Sequence, residues 1–132
     1  MGNQYKLLIV DDIFVNRLLI KEIVKKVNIQ CTEAQNGREA IDFLEKDNYD
    51  IILMDIEMPV MNGLETTRYI REKMPYPKNQ VPIIALTAHN PLTFFNDYKD
   101  VGFNQLMTKP YSVSKVLSLI SEVCPDTNIA EE

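Results

Sequence analysis

The chain has no tryptophan, a single histidine, two cysteines and four glycines among its 132 residues. Cys31 and Cys124 lie far apart, and neither has a second cysteine or a histidine at metal-ligand spacing. Zinc chemistry and a disulfide framework are therefore excluded, and both are expected to be free thiols packed as small hydrophobes. No apolar run approaches the roughly 18 residues of a membrane span. The opening MGNQYKLLIV has too short an apolar stretch for a signal peptide and no small-residue cleavage site. The expectation is a cytoplasmic chain without membrane insertion. Basic charge is also short: 14 Lys and Arg against 19 Asp and Glu leave a net charge of -5. With no basic patch against that background, nucleic acid is not expected as a direct partner.

What is present has the composition of one globular domain, 45% apolar and 25% charged, with no repeat, low-complexity segment or internal linker. A single domain is expected over 1–124. Residues 125–132, where apolar periodicity gives way to PDTNIAEE, are expected to be a frayed tail.

Short apolar runs at Tyr5 to Val10, Asp50 to Met54, Val81 to Leu86 and Asn104 to Thr108 predict strands, with a weaker one at Gln30 to Glu33. The Ile-rich, nearly uninterrupted middle runs suit strands buried on both faces. Between them lie amphipathic stretches: Phe14 to Val27, with Leu18, Leu19, Ile23 and Val27 at helical spacing; Gly37 to Lys46, with Ala40, Ile41 and Leu44; and Leu64 to Lys73. Two more run from Pro91 to Val101 and from Ser112 to Val123. Five alternations of strand and helix predict an α/β fold with a parallel sheet and right-handed crossovers.

The polar chemistry gathers at the strand ends. LLIV runs into Asp11 and Asp12, IILM into Asp55, IIAL into Thr87, and QLMT into Lys109. In a parallel sheet those ends share one edge, where open α/β sheets bind ligands. Crowded carboxylates repel one another unless a cation intervenes. Mg²⁺ takes oxygen ligands and keeps several waters, which suits Asp12 and Asp55 as direct ligands with Asp11 acting through water. With Lys109 the charges balance, three negative against three positive. An aspartate is a competent phosphoryl nucleophile, and such transfer depends on positioning and on neutralising the equatorial oxygens. Asp55, central among the strand ends, is the candidate acceptor.

Taken in order, IVDD, LMDIEMPVMNG, ALTA and TKP resemble the response-regulator receiver family over roughly Tyr5 to Val123. The resemblance implies a flavodoxin-like, doubly wound sheet of five parallel strands in order 2-1-3-4-5. It makes Asp55 the phosphoacceptor and Asp11 and Asp12 the acidic pair. It assigns the backbone carbonyl of Glu57 as third protein ligand of Mg²⁺, Thr87 as the switch hydroxyl and Lys109 as the phosphate-binding lysine. Met58, Pro59 and Gly63 match the loop after the acceptor, and the Lys109-Pro110 bond is implied to be cis. Function follows as phosphoryl transfer from the phosphohistidine of a sensor histidine kinase or histidine phosphotransfer protein, with no catalysis beyond the domain's own phosphorylation and dephosphorylation.

Local readings compete with functional ones at several positions. An Asp pair before a helix is by default an N-cap, Asp55 a turn-forming aspartate, Lys109 a solvated lysine and Thr87 a strand-terminal residue. Convergence at one edge weakens each default. His89 precedes the turn signal Asn90-Pro91, unlike a phosphodonor on a helix face. By resemblance His89 and Glu57 each sit two residues beyond a site residue, where they would tune phosphoryl lifetime through water access. Met54, Met58 and Met61 read as core and loop packing, since no thiolate or histidine joins them. Asn16 and Arg17 are either an ordinary polar face or part of a first helix that docks phosphotransfer proteins. Leu106 departs from the family, which often carries Tyr or Phe there as a rotating switch, so an aromatic switch at that position is excluded. Two rival classes fit poorly. A haloacid-dehalogenase-type phosphatase needs D-x-D after the first strand, where this chain has Asp11-Asp12-Ile13. A flavodoxin-like cofactor module needs a phosphate-cradling loop that two aspartates would repel.

Overall fold

The computed structural model describes residues 5–88 and 91–124. Five strands, β1 (Tyr5–Val10), β2 (Ile29–Ala34), β3 (Ile51–Asp55), β4 (Ile83–Thr87) and β5 (Gln105–Thr108), alternate with helices α1 (Phe14–Lys25), α2 (Gly37–Lys46), α3 (Gly63–Lys73), α4 (Pro91–Tyr98) and α5 (Val113–Val123). The sheet order is β2-β1-β3-β4-β5, and every pairing is parallel. This is the parallel sheet expected from the alternation, in the doubly wound order that the resemblance implies. The strand at residues 83–87 starts later than the apolar run beginning at Val81, because a short 3-10 turn over Lys78–Gln80 and Pro82 delay its entry.

Strand alternation divides the interior in two. Leu8, Val10, Ile52, Met54, Ile83 and Ala85 face α2, α3 and α4. Their neighbours Leu7, Ile9, Ile51, Leu53, Ile84 and Leu86 face α1 and α5. Every residue of β3 and β4 is buried, so the two strands that end in Asp55 and Thr87 are the most rigidly enclosed. Each fully buried aliphatic side chain is worth about 2 kcal/mol, an upper estimate against an extended unfolded chain.

Helix starts follow their local chemistry. Asn36 and Asn62 accept hydrogen bonds from the backbone N–H of Glu39 and Glu65, the second completing a capping box, and Ser112 does the same for Lys115. Helix α1 departs from expectation. Its buried side chains are Arg17, Ile20, Ile23 and Val24, whereas Leu18 and Leu19 are 43% and 41% exposed. The helix is apolar on both sides; Ile23 is buried and Val27 packs against the core as predicted, but Arg17, Ile20 and Val24 take the inward places expected for Leu18 and Leu19. The aliphatic stem of Arg17 lets it occupy a core-facing position while its guanidinium reaches polar partners.

Arg71 ties together the edge of the sheet remote from Asp55. Its guanidinium donates to the carbonyls of Gly102, Asn79 and Val81 and to Asn104 Oδ1 at 2.7–3.0 Å. Nearer Asp55, Gly63 packs its Cα side against the strand end. A Cβ there would lie 2.2 Å from the Asp55 carbonyl oxygen and 2.9 Å from Ile56 Cα. Both neighbours are backbone, and Gly63 N–H already donates to the Ile56 carbonyl at 2.9 Å. Gly63→Ala is therefore expected to lower the stability by about 1–3 kcal/mol, read as a reduced urea midpoint with unchanged slope. A change below about 0.5 kcal/mol would contradict this close approach.

Candidate functional site

Asp11 and Asp12 leave the end of β1, Asp55 closes β3, Thr87 closes β4 and Lys109 follows β5, so the parallel sheet brings all five to one edge. One carboxylate oxygen from each of Asp11, Asp12 and Asp55 lies within 4.8 Å of the others. Asp12, Asp55, Glu57, Thr87 and Lys109 line a single cleft of about 190 Å³. A larger groove of about 590 Å³ runs beside it between the β3–α3 loop and α4, lined by Met58, Leu64, Phe94 and Tyr98 among others. It shares Ile56 and Glu57 with the cleft but has no convergent charges.

Neither aspartate of the pair is an ordinary helix cap. The N-cap position of α1 is Ile13, with no side-chain cap. Asp11 instead accepts from the Ile13 N–H through Oδ1 at 2.9 Å and from Asn16 Nδ2 through Oδ2 at 3.2 Å. Asp11 is fully buried and Asp12 exposed, which gives the pair an inner and an outer acid. Asp55 is only 3% exposed. Its Oδ1 accepts from Lys109 Nζ at 3.0 Å, and the same ammonium lies 4.0 Å from Asp11 Oδ2. Asp55 Oδ2 is buried without a hydrogen bond among the described residues.

One ammonium therefore faces three carboxylates. Burial, followed by the Asp11 charge, pushes the Asp55 carboxyl from 3.8 up to about 6, against the opposing influence of Lys109. An all-oxygen donor set, excess negative charge and a buried, unpartnered carboxylate oxygen fit a hard divalent cation such as Mg²⁺.

Thr87 is buried at the end of β4, and its carbonyl accepts from the Lys109 N–H at 2.9 Å. The Lys109-Pro110 bond is cis, as implied by the family pattern, and Tyr76-Pro77 is cis as well. Glu57 is exposed at the mouth of the cleft, while His89 and the 125–132 tail lie outside the described residues. Leu106 is half-buried on the α2–α4 side of the sheet. Met54 and Met58 are core, and Met61 packs against them. Cys31 and Cys124 form no disulfide, and burial pushes the Cys31 thiol up to about 12, which makes it unreactive.

Three residues near the acids carried no such role in the sequence. Tyr111 follows the cis-proline, and its buried hydroxyl stands beside the Asp11 carboxylate without a hydrogen bond of good geometry among the described residues. Burial and the Asp11 and Asp55 charges push its phenol well above the ordinary range. Its place directly after Lys109-Pro110 was the available signal. Asn16 and Arg17 are the others: Asn16 supports the Asp11 carboxylate, and the buried Arg17 donates through Nη1 to the Asp11 carbonyl at 2.8 Å. Val60 sits at φ 71, with the Met61 N–H donating back to the Pro59 carbonyl at 2.7 Å. A β-branched residue at positive φ is strained, and here it turns the chain after Asp55.

Comparison with known proteins agrees with this geometry. Residues 7–121 match the response regulator receiver domain family. The chain is 33% identical over 117 residues to two-component response regulator 24 of Arabidopsis thaliana, covering 88% of this chain and 81% of that protein. It is 34% identical over 125 residues to hybrid signal transduction histidine kinase I of Dictyostelium discoideum, covering 90% of this chain but 7% of that much longer protein. Among solved structures it resembles, at TM-score 0.81 and 30% identity, the receiver domain of a sensor histidine kinase from Pseudomonas aeruginosa PAO1, which holds a magnesium ion in its active-site cleft. That likeness covers 91% of this chain and 97% of the other.

The raised carboxyl gives a pH signature. Because the folded Asp55 binds its proton more tightly than the unfolded one, the native state carries more protons between about pH 4 and 6. Stability contributed by protonated Asp55 is present below that window and is lost as pH rises through about 6. In metal-free protein, Asp55→Asn should flatten this dependence and raise stability at pH 7 by on the order of 2 kcal/mol. Thermal melts across pH 4–8, with NMR titration of the carboxyl, check both; an Asp55 titrating near its ordinary value would refute the electrostatics described.

Proposed function

The chain belongs to the response regulator receiver family, and from that premise we propose that Asp55 accepts a phosphoryl group from a phosphohistidine. The observation carrying this is the pairing of a buried, half-satisfied Asp55 with Lys109 at 3.0 Å inside a three-carboxylate cluster. A cation-dependent acceptor requires that combination, and a structural aspartate does not.

Asp11, Asp12, Asp55 and the Glu57 backbone carbonyl would hold Mg²⁺. When bound, the ion supplies charge neutralisation for the carboxylates and for the phosphoryl oxygens. Asp55 supplies the attacking oxygen. Its Oδ2 has no competing hydrogen bond among the described residues, so no donor there must be displaced. Lys109 offers a second positive charge to an incoming phosphoryl oxygen without leaving the cleft. Thr87, at the end of the strand next to Lys109 and hydrogen-bonded to it through the backbone, presents the hydroxyl that senses the product. Exposed Glu57 limits water access on the open side, and His89 is assigned the same role by the family pattern. With Leu106 in the usual aromatic position, the change at Thr87 is relayed through loops and Lys109 instead. The domain thereby catalyses only its own phosphorylation and dephosphorylation.

The partner is a histidine kinase or a histidine phosphotransfer protein. Ile13, Phe14, Val15 and Leu18 at the start of α1 are exposed beside the cleft, Phe14 and Val15 by 60% and 67%. Adjacent exposed apolar side chains on one turn suit docking against a helical partner. Such contact would bring a histidine to Asp55 while keeping it near the cleft opening. A cytoplasmic location is proposed on the same grounds; no helix among the described residues is long and apolar enough to cross a membrane.

Incubation with Mg²⁺ and acetyl phosphate, or with a phosphorylated histidine phosphotransfer protein, should add one phosphate detectable by intact mass. Asp55→Asn and chelation should each abolish it, and Lys109→Ala should slow it by roughly 100-fold. Phosphate gain in Asp55→Asn, or none in wild type with either donor, would refute the assignment.

A further inference from the structure

The Asp11–Asp12 loop has to keep two acids pointed toward a third, and its own backbone is gripped from two sides. The Asp11 N–H donates to the Ala34 carbonyl of β2 at 3.1 Å. Its carbonyl accepts from Arg17 Nη1 at 2.8 Å. Arg17 is 8% exposed, and its Nε simultaneously donates to Glu33 Oε1 on β2 at 3.0 Å. Lys21 holds the other Glu33 oxygen at 3.2 Å, and the Phe14 ring lies 5.7 Å from the guanidinium carbon. Burial would raise the Glu33 carboxyl, but hydrogen bonds from Arg17 and Lys21 hold it below the usual range.

We propose that Arg17, oriented by Glu33, is a positioning residue that pre-sets the Asp11–Asp12 loop for cation binding. A guanidinium alone among side chains can hold a carboxylate on one edge and a carbonyl with a second nitrogen in fixed geometry. Lysine keeps the charge but cannot span both partners rigidly. The Glu33 charge also neutralises Arg17, so the clamp grips the loop without adding an uncompensated cation to compete with the ion. A loop already ordered in the metal-free protein spares the ion that ordering, which raises affinity. Arg17 is thereby removed from the docking face formed by its exposed neighbours on α1.

The inference rests on Asp11 and Asp12 being ion ligands, and the test separates the two. Mg²⁺ is titrated calorimetrically into the full chain and its variants, and amide exchange at Asp12 and Ile13 is followed without metal. Arg17→Met is expected to weaken Mg²⁺ binding about tenfold and to speed exchange at both amides, since supporting residues around metal sites commonly act at that scale. Arg17→Lys should bind within about twofold of Arg17→Met, and Glu33→Gln about threefold more weakly than wild type. If Arg17→Met melts earlier with unchanged affinity and exchange, the residue is merely structural and the proposal fails. Wild-type affinity in Arg17→Lys would assign the effect to charge and equally overturn it. Should Arg17→Met not fold, Arg17→Lys and Glu33→Gln decide by the same criteria. Absence of Mg²⁺ binding in wild type would overturn the ion-ligand reading itself, while the exchange rates still judge the clamp.

Discussion

Three carboxylates whose oxygens come within 4.8 Å stay together only if something outweighs their repulsion, and much of this molecule is arranged around that constraint. Lys109 supplies one charge, shared between Asp55 at 3.0 Å and Asp11 at 4.0 Å. Asn16 and the Ile13 N–H solvate Asp11, and Arg17 with β2 fixes its backbone. These devices reduce the repulsion without removing it. Burial, together with that remaining repulsion, leaves the Asp55 carboxyl raised to about 6. Such a residue is held in readiness for positive charge: the protein tolerates local electrostatic instability at the one place where a cation can relieve it.

The scaffold answers that stress with rigidity. Asp55 and Thr87 end the two strands that are buried on both faces. Gly63 brings α3 against the Asp55 carbonyl, closer than any side chain would permit, and the strained backbone at Val60 turns the loop between them. At the far edge Arg71 satisfies carbonyls from segments with no regular pairing of their own. The exposed elements are those that would meet other molecules: Asp12, Glu57 and the first turn of α1.

Much of this was legible in the residues. Apolar runs ending in polar residues placed β1, β3, β4 and β5, with β2 as a weaker signal, and with them the convergence of Asp11, Asp12, Asp55, Thr87 and Lys109. Helix α2 lies within the bounds its spacing gave, because Asn36 caps it and its apolar stripe is unambiguous. Helix α1 was harder. With Phe14, Val15, Leu18 and Leu19 as apolar as Ile20 and Ile23, periodicity cannot say which stripe the sheet covers, and a polar Arg17 on the inner side runs against the usual weighting. Its partners are a backbone carbonyl and a glutamate on a neighbouring strand, which no local pattern records. The Tyr111 hydroxyl and the Arg71 cluster escaped for the same reason, since their meaning lies in contacts made across the fold.

Lys109 also sets an order of assembly. The acids lie at the ends of β1 and β3, whereas the ammonium that faces Asp55 and Asp11 arrives after β5, an edge strand paired to β4. A chain emerging during synthesis thus exposes its three acids well before their counter-charge exists. Until β5 docks, the edge that gathers the acids lacks the lysine that faces them, so the site is completed only by the last strand although Asp55 lies in the middle of the chain.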